Sequence, residues 1–198
     1  MEIIKLLQEN IREVACEVVS RLKDNQVGVI PSDTSYGMAT LIRRENIDHL
    51  LKIKDRSRRK PISVFVSSLE FLDELAVVDY NQRQFIKNRL NKSHTFVLEL
   101  ESQFKDQYKD IAPDGKIGIR IVGVPLIREI LKKLNEPITA TSANLSNHTN
   151  CYSLKGFLNQ FEDKAVQPDF FIDAGKLPYC SPSTVIDLTT RPYRIIRK

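Results

Sequence analysis

Ile3, Ile4, Leu6, Leu7, Ile11, Val14, Ala15, Val18, Val19 and Leu22 recur at helical spacing through an otherwise charged segment. That period predicts one long amphipathic helix over 1–24, ending near Asp24 and Asn25. Residues 27–30 form a short apolar run rich in β-branched side chains, which predicts a buried strand emptying into the polar loop 31–37. Ile47, Leu50, Leu51 and Ile53 predict a helix over 45–54. Pro61 stops any helix, and a strand follows over 62–66. Ser67, Ser68 and Glu70 suggest a cap for a helix that reaches Leu75. A helix over 82–90 and a strand over 95–100 come next, and then a polar surface excursion over 101–116. Residues 117–122 alternate, with Gly118 and Arg120 facing away from Ile117, Ile119 and Ile121. Pro125 fits the first position of a helix running to Leu134. The remainder predicts a strand over 138–141, a helix over 154–161, and strands over 170–173, 184–188 and 193–196.

Strands and helices alternate through most of the chain, so the expected fold class is α/β, with a twisted open mixed sheet flanked by helices. At 198 residues the chain fits one domain over 1–198 with a full core. Cys16, Cys151 and Cys180 are odd in number and lack any C-x-x-C pair, which argues against a disulfide framework or a zinc site. Charged residues interrupt the first twenty positions, and no run of apolar residues is long enough for a signal peptide or a membrane span. The expected location is the cytoplasm.

Charge changes this picture at one place. Residues 52–60 hold six basic side chains and one acidic one, a local charge of +5, and the whole chain is also +5. Everything outside that segment is balanced. Like charges so close repel by roughly 1 to 4 kcal/mol per pair. The cluster therefore either faces water or answers an anion.

Neither G-x-x-x-x-G-K-[ST] nor G-x-G-x-x-G is present, and the seven glycines are too dispersed for either phosphate cradle. His49, His94 and His148 lack metal-ligand spacing, so no metal-ligating residue is assigned. The remaining polar loops stand at the ends of apolar strands. One carries Ser32, Asp33, Thr34 and Tyr36, and a second carries Lys54, Arg56 and Lys60. A third carries Ser142 and Asn144, and a fourth Ser183 and Thr184. Hydroxyl and amide groups suit an amino acid or phosphate oxygens, and Lys and Arg neutralise a polyphosphate that no P-loop holds.

Residues 31–37 (PSDTSYG), Lys54-Asp-Arg56 with Lys60-Pro61, 140–146 (ATSANLS) and 182–187 (PSTVID) resemble, in this order, the motifs of the YrdC-domain family of threonylcarbamoyl-adenylate synthases. The resemblance covers nearly the whole chain and is to the short type, without an additional carboxyl-terminal domain. It implies a positively charged concave face and a reaction in which L-threonine, bicarbonate and ATP give threonylcarbamoyl-AMP and pyrophosphate, for tRNA threonylcarbamoyladenosine modification. Magnesium would accompany ATP, and tRNA or downstream tRNA-modification enzymes would be partners. By the same resemblance Lys54, Arg56 and Lys60 would bind the ATP phosphates, with Ser142 and Asn144 completing the catalytic set. Thr34, Tyr36, Thr95, Arg120 and Ser183 would line the threonine site, and Arg197 would touch the nucleotide. Lys52, Arg58 and Arg59 match nothing specific and read as solvated.

The chain departs from the family pattern at the segment after Arg197, which lacks the usual glycine, and at three internal places. Phe65 stands where many members carry a histidine, 91–93 replaces a Pro-Gly-Pro, and Tyr179-Cys180 replaces a turn that contains glycine. The basic cluster and these departures leave a second reading open, a catalytically silent RNA-binding module on the same fold.

Overall fold

The computed structural model describes residues 1–198 except Arg59 and Asn91. The expected solvation of Arg59 and the departure at Asn91 lie outside the described residues. The strands are β1 (Glu2–Lys5), β2 (Gly28–Pro31), β3 (Tyr36–Ala39), β4 (Ser63–Phe65), β5 (Ala76–Val77), β6 (His94–Leu100), β7 (Lys116–Arg120), β8 (Ile138–Ser142), β9 (Phe170–Asp173), β10 (Thr184–Asp187) and β11 (Arg194–Arg197). They join in one sheet in the order β1-β9-β2-β3-β8-β4-β7-β6-β10-β11, with β5 paired to β6. Parallel pairs (β1 with β9, β2 with β9, β4 with β7, β6 with β10) mix with antiparallel ones, as expected. The helices are α1 (Ile11–Lys23), α2 (Arg44–Lys54), α3 (Leu69–Leu75), α4 (Tyr80–Lys87), the short α5 (Lys105–Tyr108), α6 (Pro125–Leu134) and α7 (Leu154–Phe161).

Side chains alternate across the sheet, and the two faces build two separate cores. Val29, Met38, Val64, Ile117, Ile119, Phe96 and Phe171 join one core with the apolar sides of α2, α3 and α7. Ile30, Ala39, Phe65, Ile138, Phe170 and Ile172 join the other, which is covered by α1 and α6. Neighbours in sequence, such as Val29 and Ile30 or Phe171 and Ile172, go to opposite cores. The second core stops at β4. Beyond it, on β7, β6 and β10, the same face bears Gly118, Arg120, Thr95, Val97 and Asp187, and it lines a cavity instead.

Three expectations need correction. Four residues of the expected helix, Glu2–Lys5, form β1 instead, beside β9, because Asn10 interrupts any helix there. Its Oδ1 accepts from the Leu7 N–H at 2.8 Å, and its Nδ2 donates to the Lys5 carbonyl at 3.0 Å. Ile4 packs inward while Ile3 is exposed, which is strand alternation. The expected loop 31–37 is a hairpin: Ser32 donates through N–H (3.1 Å) and hydroxyl (2.7 Å) to the Ser35 carbonyl, and Tyr36 already begins β3. The excursion over 101–116 is anchored, with Tyr108, Ile111 and Ala112 buried. The Ile111 carbonyl accepts from the Ile62 N–H at 3.0 Å.

Ile130 of α6 is fully buried in the α1/α6 core. Ile130→Ala should lower the unfolding free energy by roughly 2–5 kcal/mol through lost transfer energy and the cavity left behind, as read by urea denaturation.

Candidate functional site

The open part of the sheet face forms a cavity of about 430 Å³. Its floor is flat because of Gly118. A Cβ there would stand 2.5 Å from the Ser63 hydroxyl oxygen and 3.1 Å from the Thr95 methyl. The hairpin between β2 and β3 supplies Ser32 and Thr34, the end of β8 supplies Ser142, and the segment entering β10 supplies Ser183.

One end of the cavity is built around Arg120, the last residue of β7, which is only 6% exposed. Its Nη2 donates to both carboxylate oxygens of Asp33, at 2.7 and 2.8 Å. Ser93 donates to the same carboxylate at 2.8 Å, so the segment that departs from the family pattern still steadies this pair. The guanidinium lies 5.1 Å from the centre of the Phe65 ring, and its Nε is buried without a partner. Burial lowers the pKa of Arg120, against the pull of Asp33 and with the nearby Arg197 adding to the lowering. Beside it the Thr95 and Ser183 hydroxyls are 2.8 Å apart, and Arg197 donates to the Ser183 carbonyl at 3.0 Å and to its hydroxyl at 3.1 Å. Two buried hydroxyls beside the buried Arg120 and the exposed Arg197 suit a carboxylate and short polar side chain.

The other polar group starts at the end of α2. Asp55 takes a left-handed conformation (φ 48°), its N–H donates to the Lys52 carbonyl, and the Arg56 N–H donates to the Leu51 carbonyl at 3.0 Å. This reversal ends the helix and separates two neighbours in the sequence motif. Arg56 swings into the cavity wall, where its Nη2 donates to the Pro61 carbonyl at 2.9 Å and its buried Nε lacks a partner. Lys54 stays on the buried side of α2, 2% exposed, and its ammonium donates to the backbone carbonyls of Ser142 and Asn144. The Lys54 carbonyl in turn accepts from the N–H and hydroxyl of Ser146, each at 3.0 Å.

Several expected residues therefore have other placements. Thr34, Arg56, Thr95, Arg120, Ser142, Ser183 and Arg197 line the cavity, while Lys54, Lys60 and Asn144 do not. The Asn144 side chain accepts from Ser142 and donates to the carbonyls of Leu145 (2.9 Å) and His148 (2.7 Å), and so it shapes its own loop. Lys60 is exposed on the loop outside. Tyr36 stands at the cavity edge, but its ring is buried in the first core against Phe171, with centroids 4.7 Å apart, and its hydroxyl donates to the Gly175 carbonyl at 2.8 Å and accepts from the Ala174 N–H at 2.9 Å. Burial pushes that phenol up to about 12. Arg58 is not simply solvated; it is paired with Asp48 and with Asp110. Sequence reasoning missed Ser63, Lys116 and Asn150 on the cavity wall. The alternation that placed Arg120 and Gly118 on one face also contains Lys116, whereas Asn150 sits in an irregular loop that no period marks.

A family model described as telomere recombination, that of Sua5, YciO and YrdC, matches residues 20–198. The chain belongs to the Sua5/YciO/YrdC family. Among relatives, a Methanocaldococcus jannaschii protein provisionally named a threonylcarbamoyl-AMP synthase is 28% identical, over 95% of this chain and 86% of its own length. The Bos taurus threonylcarbamoyl-AMP synthase is 26% identical over 86% of this chain and 62% of its own. Two solved structures share the fold over the whole of this chain. They are P. abyssi Sua5 complexed with L-threonine (TM-score 0.82, 21% identity, 57% of that chain) and E. coli YciO (TM-score 0.84, 22% identity, 94% of that chain). The chain thus spans little more than half the length of this Sua5.

In this member of the family, Lys54 acts on the backbone of the loop that carries Ser142. Burial pushes its ammonium down to about 7, with the Arg56 charge adding to the effect and Cys151 opposing it. An unfolded lysine keeps its proton to about 10.4. Between these values the unfolded chain binds more protons, so this group's contribution to stability rises with pH from about 7 towards 10 and is flat below. The stability of the protein relative to Lys54→Met should accordingly rise between pH 7 and 9, by up to about 1.4 kcal/mol per pH unit. Urea titrations at several pH values measure it, and a constant or falling difference would contradict this placement of the ammonium.

Proposed function

We propose that this protein joins L-threonine, bicarbonate and ATP into threonylcarbamoyl-AMP and pyrophosphate. The observation that carries the reading is a single cavity holding both the Arg120, Thr95 and Ser183 cluster and the Arg56 and Ser142 pair. Names of relatives support it, and so does the size of the cavity, about 430 Å³, which suits small molecules better than the surface of an RNA. Tyr36 and Asn144 serve as supports of the loops around the site, and Lys54 holds the backbone of Ser142 from below.

The chemistry follows from these positions. The threonine α-carboxylate is placed against Arg120, and its hydroxyl and amine fall among Thr34, Thr95 and Ser183. The uncharged amine adds to the carbon of bicarbonate with loss of water and gives a carbamate. A carbamate oxygen then attacks the α-phosphorus of ATP, the bond to the bridging oxygen breaks, and pyrophosphate departs. No covalent enzyme intermediate is required. Negative charge grows on the phosphate oxygens, and fixed guanidinium and hydroxyl groups aimed there lower the barrier by electrostatics and proximity.

Among the described residues no group of three His, Cys, Asp or Glu converges to hold a metal ion. A magnesium ion would instead arrive on the ATP phosphates, which neutralises part of their charge. No helix among the described residues is long and apolar enough to cross a membrane. A cytoplasmic setting and delivery of the product to tRNA-modifying partners complete the proposal.

Pyrophosphate release should require threonine, bicarbonate and ATP together, and release that ignores threonine would refute the reaction. Arg120→Lys removes the planar fork while keeping the charge. It should lower kcat/KM for threonine on the order of a hundredfold, with ATP binding retained, in steady-state assays that vary each substrate.

A further inference from the structure

The ion pair between Arg120 and Asp33 has an uneven geometry. A carboxylate beside a guanidinium favours two parallel hydrogen bonds, each oxygen taking its own nitrogen. Here the single nitrogen Nη2 donates to both oxygens of Asp33, at 2.7 and 2.8 Å, while the buried Nε of the same side chain has no partner. The better fork would need one of those oxygens on Nε instead. The Phe65 ring, 5.1 Å from the guanidinium, attracts its charge without accepting a hydrogen bond. Something must therefore hold Asp33 in the poorer arrangement.

That restraint is Ser93, whose hydroxyl donates to Oδ2 of Asp33 at 2.8 Å. Ser93 is half-buried just ahead of β6, and its own backbone is tied down on the other side. Its carbonyl accepts from the Thr184 N–H at 3.0 Å, at the start of the parallel ladder in which His94 pairs with Thr184 and Thr95 with Val185. Ser93 thus joins the segment that carries Ser183 to the hairpin that carries Asp33 and Thr34. Neither proline nor glycine could make the hydroxyl contact, so it belongs to this chain rather than to the motif that its segment replaces.

We propose that Ser93 is a positioning residue that holds Asp33 on Nη2 and so keeps Nε of Arg120 open for the carboxylate of the amino acid. This rests on the proposed reaction, in which that carboxylate meets Arg120. Without the Ser93 bond, Asp33 is free to take both nitrogens and competes with the ligand.

The test is NMR titration with L-threonine and with L-threoninol, in which a hydroxymethyl group replaces the carboxylate, on the wild-type protein, Ser93→Ala and Ser93→Thr. In Ser93→Ala, L-threonine should bind about tenfold more weakly, the effect of about one charge-assisted hydrogen bond. L-threoninol should bind as it does to the wild type, and the threonine variant, which keeps a hydroxyl, should recover most of the loss. In steady-state assays of Ser93→Ala, KM for threonine should rise while KM for ATP stays the same. Unchanged L-threonine affinity in Ser93→Ala overturns the proposal, and so does an equal weakening of both ligands, which a merely distorted loop would give. A wild-type protein that binds L-threonine no better than L-threoninol overturns the carboxylate contact and this proposal with it. Pyrophosphate release that ignores threonine would refute the reaction and leave the titrations to decide on Ser93.

Discussion

Two helices cannot cover a sheet of this width. Side by side, α1 and α6 cover about 20 Å, given a helix diameter of about 10 Å with side chains. The ten strands that lie in line span about 43 Å at a spacing of about 4.8 Å. Where the helices lie, the face carries Ile30, Phe65, Ile138 and Phe170 and is dry. Where they end, the same face must meet solvent or ligand, and its residues change to Ser63, Thr95, Gly118, Arg120 and Ser183. The site is thus the uncovered half of a core face. Its groups are rigid because the opposite faces of the same strands are locked in apolar packing by Phe96, Leu98, Ile117 and Ile119.

How much of this was legible in the sequence depended on whether local periodicity and tertiary placement agreed. Helices α2, α6 and α7 and strands β7, β8, β9 and β10 follow their own pattern of apolar residues, and expectation and structure differ there by a residue or two. The amino terminus misled because Ile3, Ile4, Leu6 and Leu7 satisfy helical spacing as well as strand alternation. Two hydrogen bonds from Asn10, and pairing with a strand more than 160 residues away, decide the outcome. Strand β3 was hidden because Tyr36-Gly-Met-Ala lacks β-branched residues. Its strand state comes from β2 and β8 on either side rather than from propensity.

The candidate site was legible as a set of residue types and less so as a set of roles. Lys54 and Arg56 are two positions apart in the sequence, and a charge count treats them alike. A left-handed Asp55 between them sends one ammonium into the interior and one guanidinium to the cavity. A buried cation without a carboxylate is costly, and two backbone carbonyls offset part of that cost. What the arrangement secures is the shape of the Ser142 loop, so the basic motif is part cavity wall and part scaffold. No linear pattern separates those two uses.

At the Arg120 end the charges favour one further anion. Arg197 lies close enough to raise the cost of the Arg120 charge, and Asp33 pairs with only one of the two. The residual charge of about +1 matches a single carboxylate. Asp33 occupies one edge of the Arg120 guanidinium, which leaves the buried, unpartnered Nε without a bond. An incoming carboxylate that reaches that nitrogen gains a charge-assisted hydrogen bond and removes the cost of a buried unsatisfied donor, an effect of roughly 1–3 kcal/mol. An uncharged ligand of the same shape gains neither. The unpartnered Nε of Arg120 therefore favours a carboxylate before any contact to the rest of a ligand is made.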